Sequence, residues 1–203
     1  AGALDEADVE ALGDRLGVGE RQLRRLFRKH LGASPVAVAQ TRRVLLAKQL
    51  IQETRLPMAE VAMAAGFGSI RRFNETFQQL YDRPPHALRR LGGPDETAGG
   101  GEAVRLSLPY KPPYDWDAIL GFLGLRAIPG VERVAAGRYE RSVAIGESVG
   151  VIRVEHDAAR ARLGVTVRFP RISALPAIIA RVRRVFDLAA DPVAIGEHLA
   201  KDQ

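Results

Sequence analysis

Residues 35–54 read PVAVAQTRRVLLAKQLIQET, twenty positions with no glycine and no internal proline, and the arrangement of the chain on either side follows from this stretch. It reads as one helix. Ser34 ahead of Pro35 is a start signal, because a serine oxygen accepts an orphan amide bond and proline at the first helical position has no N–H to lose. Pro57 ends it, since a proline biases the preceding residue away from helix. About 20 residues at ~1.5 Å rise make a rod of roughly 30 Å.

On the N-terminal side, Asp5 is expected to cap a first helix whose apolar residues Val9, Leu12 and Leu16 recur at three and four, with Gly17 as its left-handed stop. Val18 and Gly19 make a turn. A second helix is expected from Glu20 to Leu31, with Leu23, Leu26, Phe27 and His30/Leu31 inward and Arg21, Arg24, Arg25 and Arg28 on the opposite side. The pattern repeats beyond the rod. A short helix is expected over 56–65, Gly66-Phe67-Gly68 turns, and Ser69 caps a helix from Ile70 to Tyr81. On that helix Ile70, Phe73, Phe77, Leu80 and Tyr81 cluster, while Arg71, Arg72, Glu75, Gln78 and Gln79 point away with Asn74 at the boundary. Met58 and Met63 read as core filling. Helix, glycine turn and arginine-faced helix, twice over, is helix-turn-helix grammar.

Charge agrees with this reading. Residues 1–91 hold 15 Lys/Arg against 10 Asp/Glu, whereas 92–203 hold 15 against 14. Four of the ten acids fall in the first ten residues, so residues 11–91 carry a net +9. A basic excess confined to one region is the footprint of a polyanion binder. The rod's length is then close to the ~34 Å that separates successive major-groove half-sites. Zero cysteines exclude disulfides, thiolate metal sites and cysteine nucleophiles within these residues. The four histidines show no metal-ligand spacing, so no metal or cofactor is expected. No apolar run approaches the ~18 residues of a membrane span and no signal peptide opens the chain; a soluble cytoplasmic, nucleoid-associated and monomeric protein is expected.

Residues 92–102 hold five glycines and no side chain larger than alanine among their apolar residues. They read as a tether that protease should cut. Beyond it, Val104 to Leu108 alternates as a strand, Asp115 caps a helix with Trp116, Ile119, Leu120, Phe122 and Leu123 inward, and the period then switches to two. Strands are expected over 131–135, 139–145, 149–155 and 163–169 as an antiparallel meander, with turns at 146–148 and 156–160 and a final helix over 175–186 on one sheet face. The fold class is therefore multidomain: an all-α double helix-turn-helix domain with its units joined by a long helix, followed by an α+β domain with an antiparallel sheet and two helices.

The segment AEVAMAAGFGSIRRFNETFQQLYDRPPHALRR (59–90), with Gly66-Phe67, Ser69, Phe73 and Phe77 at fixed spacing, resembles the DNA-binding domain of AraC/XylS-type transcription regulators. The resemblance covers about 90 residues and implies that the two arginine-faced helices enter successive major grooves of double-stranded DNA. The implied base readers are Arg21, Arg24 and Arg25 in the first and Arg71, Arg72, Asn74 and Glu75 in the second. Arginine forks suit guanine, asparagine suits adenine and glutamate accepts from cytosine. Arg28, Lys29, Arg42 and Arg43 are expected at phosphates. RNA polymerase is a candidate second partner of such a regulator.

LPYKPPYDWDAILGFLGLRAIPGVERV (108–134), GRYERSVAIGESVGVIRV (137–154) and RVFDLAADP (184–192) resemble the N-terminal domain of AlkA-type 3-methyladenine DNA glycosylases. In that family a helical domain carrying a catalytic aspartate follows, and residues 188–203 resemble only its entrance. No residue here is expected to be catalytic. Asp115 and Asp117 at a helix start read as caps, Trp116 as packing, Tyr139 and Arg141 as sheet packing, and His156 as a turn residue. The order of the two resemblances is that of Ada/AlkA-like adaptive-response fusions. The expected layout is 1–91 DNA-binding domain, 92–103 linker, 104–187 α+β domain and 188–203 start of the glycosylase domain, the middle of a larger protein whose methyl-acceptor and glycosylase domains lie elsewhere. The alternative is a one-component AraC-type regulator whose C-terminal domain senses a small ligand, which an apolar pocket of several hundred Å³ would favour.

Overall fold

The computed structural model describes residues 9–54, 56–89 and 103–202. The Asp5 cap and the tether over 92–102 lie outside the described residues. The chain divides into two compact units, each taken by itself.

The first is helical: α1 (Val9–Leu16), α2 (Glu20–Leu31), α3 (Pro35–Glu53), α4 (Met58–Ala64) and α5 (Ile70–Tyr81), then a 3-10 turn over Pro85–Leu88. Ser34 starts α3 as its spelling requires, its Oγ accepting from the Ala37 N–H at 3.2 Å. At the other end Thr54 turns extended and sends both its N–H and its hydroxyl to the Leu50 carbonyl, which closes the helix before Pro57 is reached.

The two turns beside α3 are built alike. Gly17 donates to Asp14 O and Val18 to Gly13 O; Gly66 donates to Met63 O and Phe67 to Ala62 O. Each is a Schellman stop with a left-handed glycine (φ 65° and 81°) and an apolar residue just after it. One apolar cluster joins Leu12, Leu23 and Ala39, with Val9, Val18 and Phe27 against it. Around α4 and α5, Val61, Ala62, Phe67, Phe73 and Phe77 are buried, as are Val44, Ala47, Leu50 and Ile51 of α3. The rings of Phe67, Phe73, Phe77 and Tyr81 follow one another at centroid separations of 5.2, 4.9 and 5.4 Å.

Several residues expected inside are not. His30 and Leu31 close α2 in solvent, and Ile70 (50% exposed) and Leu80 sit at the wings of the α5 stripe. The stripe that packs is narrower than a hydrophobicity wheel suggests, because Phe73 and Phe77, one turn apart, fill the contact by themselves. Met63 is exposed too, since seven-residue α4 buries Val61, Ala62 and Ala64 and turns its remaining side outward.

The second unit holds β1 (Val104–Pro109), α6 (Trp116–Leu125), β2 (Glu132–Ala135), β3 (Arg138–Ile145), β4 (Ser148–Asp157), β5 (Arg162–Arg168), the part of α7 (Leu175–Val185) from Arg181 onward, and α8 (Pro192–Leu199), while residues 172–180 group with the first unit. The sheet order is β1-β5-β4-β3-β2 and every pairing is antiparallel, so β2 to β5 form the expected meander and β1 closes it beside β5. Alternation sends Leu106, Tyr139, Val143, Val154 and Val165 to one buried face. Two expectations fail here. His156 lies in β4 and not in a turn, because the strand runs to Asp157 and the turn is the 3-10 segment Ala158–Arg160. Phe122 is 56% exposed, for α6 buries only Trp116 and Leu120 fully.

Candidate nucleic-acid interface

Helix α2 is strongly two-faced: Leu23 is its one fully buried residue, and Arg21, Arg24, Arg25, Arg28 and Lys29 are all exposed. Arg24 donates to Glu20 one turn earlier at 2.5 Å, an exposed pair worth a few tenths of a kcal/mol that yields readily to a stronger anion. Arg21, Arg25, Arg28 and Lys29 make no ion pair among the described residues.

Helix α5 is capped by Ser69, whose Oγ accepts from the Arg72 N–H at 3.2 Å. Its outer face presents Arg71, Arg72, Asn74 and Glu75 to solvent. Arg71 Nε donates to Glu75 Oε1 at 2.7 Å, so two expected base readers hold each other, and this raises the Arg71 pKa further. Gln40 of α3 donates to Thr76 Oγ1 at 3.1 Å, which ties α5 to the rod from its inner side.

Arg42 and Arg43 on α3 are half-buried and less available than the arginines of α2. The stem and Nε of Arg43 stand 3.6–3.9 Å from where a Cβ on Gly66 would lie, so this side chain packs over the α4–α5 turn.

In the second unit Asp115 accepts from the Ala118 N–H at 2.9 Å, as a cap does. Trp116 is buried, donates to Gly137 O and stacks between His156 and Phe186. Glu132, its side chain 10% exposed, accepts from Tyr139 at 2.6 Å, from Arg141 at 2.9 Å and from the Ile128 N–H at 3.1 Å. The Tyr139 hydrogen bond holds its carboxyl below the usual carboxylate range, and burial pushes Tyr139 up to about 12. Tyr110 and Tyr114 stack at 4.2 Å beside a largely apolar cleft of about 410 Å³ that Ile119, Phe122, Leu123 and Val185 also line. Among the described residues no group of His, Asp and Glu is placed to hold a metal ion, and no helix is long and apolar enough to cross a membrane.

Residues 12–91 match a family described as a helix-turn-helix domain, and residues 105–203 match one described as the AlkA N-terminal domain. The chain joins an AraC-type helix-turn-helix domain to an AlkA N-terminal domain. It is 37% identical over 204 residues to a probable bifunctional transcriptional activator/DNA repair enzyme AlkA of Mycobacterium tuberculosis, covering 99% of this chain and 40% of that protein. Over 95 residues it is 37% identical to DNA-3-methyladenine glycosylase 2 of Escherichia coli, covering 47% of this chain and 34% of the other. Over 86 residues it is 36% identical to the HTH-type transcriptional regulator GlxA of Rhizobium meliloti, covering 42% and 26%. The chain thus spans two fifths of the mycobacterial relative's length.

Two residues of the helix-turn-helix domain escaped the sequence reading. Ile70 stands exposed at the first position of α5, next to Arg71 and Arg72; its apolar character disguised it as core. Gly13 lies inside α1, where a Cβ would come within 2.7 Å of the Val18 carbonyl oxygen, and a glycine in the middle of an otherwise helical pattern was the available signal. In the AlkA N-terminal domain His156 bonds Tyr110 at 2.8 Å, a role its place in the sequence did not suggest.

Proposed function

We propose that this chain is the sequence-specific DNA-binding, transcription-regulating module of a bifunctional alkylation-damage response and base-excision repair protein. The observation that carries it is the pair of capped or glycine-led helices, α2 and α5, each following a Schellman stop, each with an exposed polar face and both hung on α3. In this reading they are the recognition helices of a double helix-turn-helix, and α3 sets their separation near one turn of duplex. Arg21, Arg24, Arg25, Arg71, Arg72, Asn74 and Glu75 read base edges, joined by Ile70 against a thymine methyl. Arg28, Lys29 and Arg42 hold phosphates, while Arg43 serves the α4–α5 turn first and phosphate second. Residues 1–91 form the DNA-binding domain, 92–103 the linker, 104–187 the α+β domain and 188–203 the approach to a glycosylase domain. The same reading has the module acting as a monomer at the nucleoid with RNA polymerase as a second partner, and places glycosylase and methyl-acceptor activities in the parent protein outside these residues.

The test is a duplex selected from random sequence, titrated with salt. Arg72→Ala should cost about 1–3 kcal/mol on the selected site and much less on unrelated duplexes. Lys29→Ala should weaken all duplexes about equally and reduce the slope of log K against log salt by about 1. A wild-type slope near zero overturns the reading, and the opposite pattern in the variants reverses the base and phosphate assignments.

One observation favours a second reading, a regulator whose C-terminal domain takes a small ligand: the cleft of about 410 Å³ beside Tyr110 and Tyr114, with Lys111 and Asp187 at its edge. The AlkA N-terminal match over the same residues weighs against it.

A further inference from the structure

The sheet of the AlkA N-terminal domain has a second face, and its chemistry is unlike that of the first. Strand alternation puts Arg105, Arg133, Arg138, Arg153, Arg162 and Arg168 on it, against Glu140, Glu155 and Asp157. Register carries one unbroken row across all five strands: Arg105 opposite Thr166, Thr166 opposite Arg153, Arg153 opposite Glu140, Glu140 opposite Arg133. Strands lie ~4.8 Å apart, so the arginines of this row, two strands from one another, recur at roughly 10 Å.

At one end the row opens into a polar hollow of about 270 Å³ lined by Arg133, Arg138, Arg153, Glu140, Ala135 and Ala136. Arg153 Nε donates to Glu140 Oε1 at 2.6 Å, and the same carboxylate feels Arg133 and Arg138, which together hold it below the usual range. One glutamate therefore answers three guanidinium groups. Arg138 reaches Glu155 only at 3.8 Å, and the exposed side chain of Arg133 makes no hydrogen bond or ion pair among the described residues. The other sheet face carries the apolar core, and the cross-strand pairs of Arg153 with Glu140 and of Arg138 with Glu155 account for only part of this arginine set.

We propose that this open face is a second DNA-binding surface, contacting the phosphate backbone of a duplex without reading sequence, with the Arg133/Arg138/Arg153 hollow as its principal phosphate site. Guanidinium forks match phosphate oxygens. Charges recurring at roughly 10 Å across the sheet suit a polymer of phosphates that meets several of them at once, which a single small anion does not. A protein partner would ask for an apolar centre, whereas the hollow offers only Ala135 and Ala136 and the apolar side chains elsewhere on this face, Val149 and Val151, stand on β4 outside it. The choice of duplex as ligand rests on the DNA-binding reading above. With this surface in contact the AlkA domain would itself ride on the duplex, beyond what the helix-turn-helix domain holds.

The experiment uses the full chain and an unrelated duplex, with binding measured across a salt series. Four proteins are compared: wild type, Arg133→Ala/Arg138→Ala, Arg133→Lys/Arg138→Lys, and Arg21→Ala/Arg25→Ala. The sheet variant should lose roughly 10-fold in affinity at low salt, with the slope of log K against log salt falling by about 2. Arg133→Lys/Arg138→Lys should keep most of both. A folded sheet variant with unchanged slope overturns the proposal, whatever the helix variant does. Loss in the sheet variant with none in the helix variant upholds it and counts instead against the α2 assignment. Should the double variant melt early, Arg133→Ala alone carries the test with a slope change near 1. Loss of binding to polyglutamate with duplex binding intact also overturns the proposal, in favour of an acidic protein.

Discussion

Gly13 shows how one missing methyl group lets a turn close tightly against its own helix. A glycine inside a helix ordinarily gives way to alanine with a gain of up to ~1 kcal/mol. Here the added Cβ would stand 2.7 Å from the Val18 carbonyl oxygen, a backbone atom already held by the α1–α2 turn. Gly13→Ala should therefore destabilise, by about 1–3 kcal/mol as overpacking does, and weaken duplex binding because α2 must shift. A urea midpoint above wild type would show that the turn has room. Glu132 offers a test of a different kind. It accepts from two side chains and a backbone amide, so Glu132→Gln should cost about 1–3 kcal/mol near neutrality. Its folded carboxyl titrates below the ordinary 4.5, so its stabilisation is complete above that value and is lost as pH falls through the lower folded value. The gap between Glu132→Gln and wild type should close in acid; a gap that stays constant down to strongly acidic pH would mean that the charge contributes nothing.

Elements were the easier scale to read. Ser34-Pro35, Ser69 and Asp115 each announce a helix start, and each side chain accepts the amide its position calls for. Ser69→Ala should cost about 1 kcal/mol and loosen the first turn of α5, where Ile70, Arg71 and Arg72 sit, while Ser69→Asp should restore both. Equal amide-exchange protection at 70–72 in wild type and Ser69→Ala would refute that. The meander was legible from alternation because Gly146 and the pair Ala136-Gly137 supply the positive φ that two-residue hairpins require. What alternation does not say is which strand lies beside which across a helix, and the pairing of β1 with β5 became visible only in the sheet.

For the whole molecule, local spelling and long-range packing divide the work. Caps, glycine stops and periodicity act within a few residues, so the five helices described over residues 9–89, the strands of the second unit, the two domain resemblances and the arginines of α2 and α5 could all be read from the chain. Exposure is a different matter, because it depends on what arrives from elsewhere to cover a face. Ile70, Leu80, Met63 and Phe122 are apolar at core-like spacing, yet neighbouring side chains fill the contact first and leave them outside. Arg43 looks like any surface arginine until Gly66 is brought under it. The open sheet face is the largest instance: its arginines come from five strands spread over 105–168, separated in sequence by turns and a helix, and nothing local marks them as a row. The sequence by itself determined the elements and their families, since short-range hydrogen bonding and side-chain periodicity are written locally. Only the tertiary structure decided which charges stand together, since strand register sums residues that the chain keeps apart.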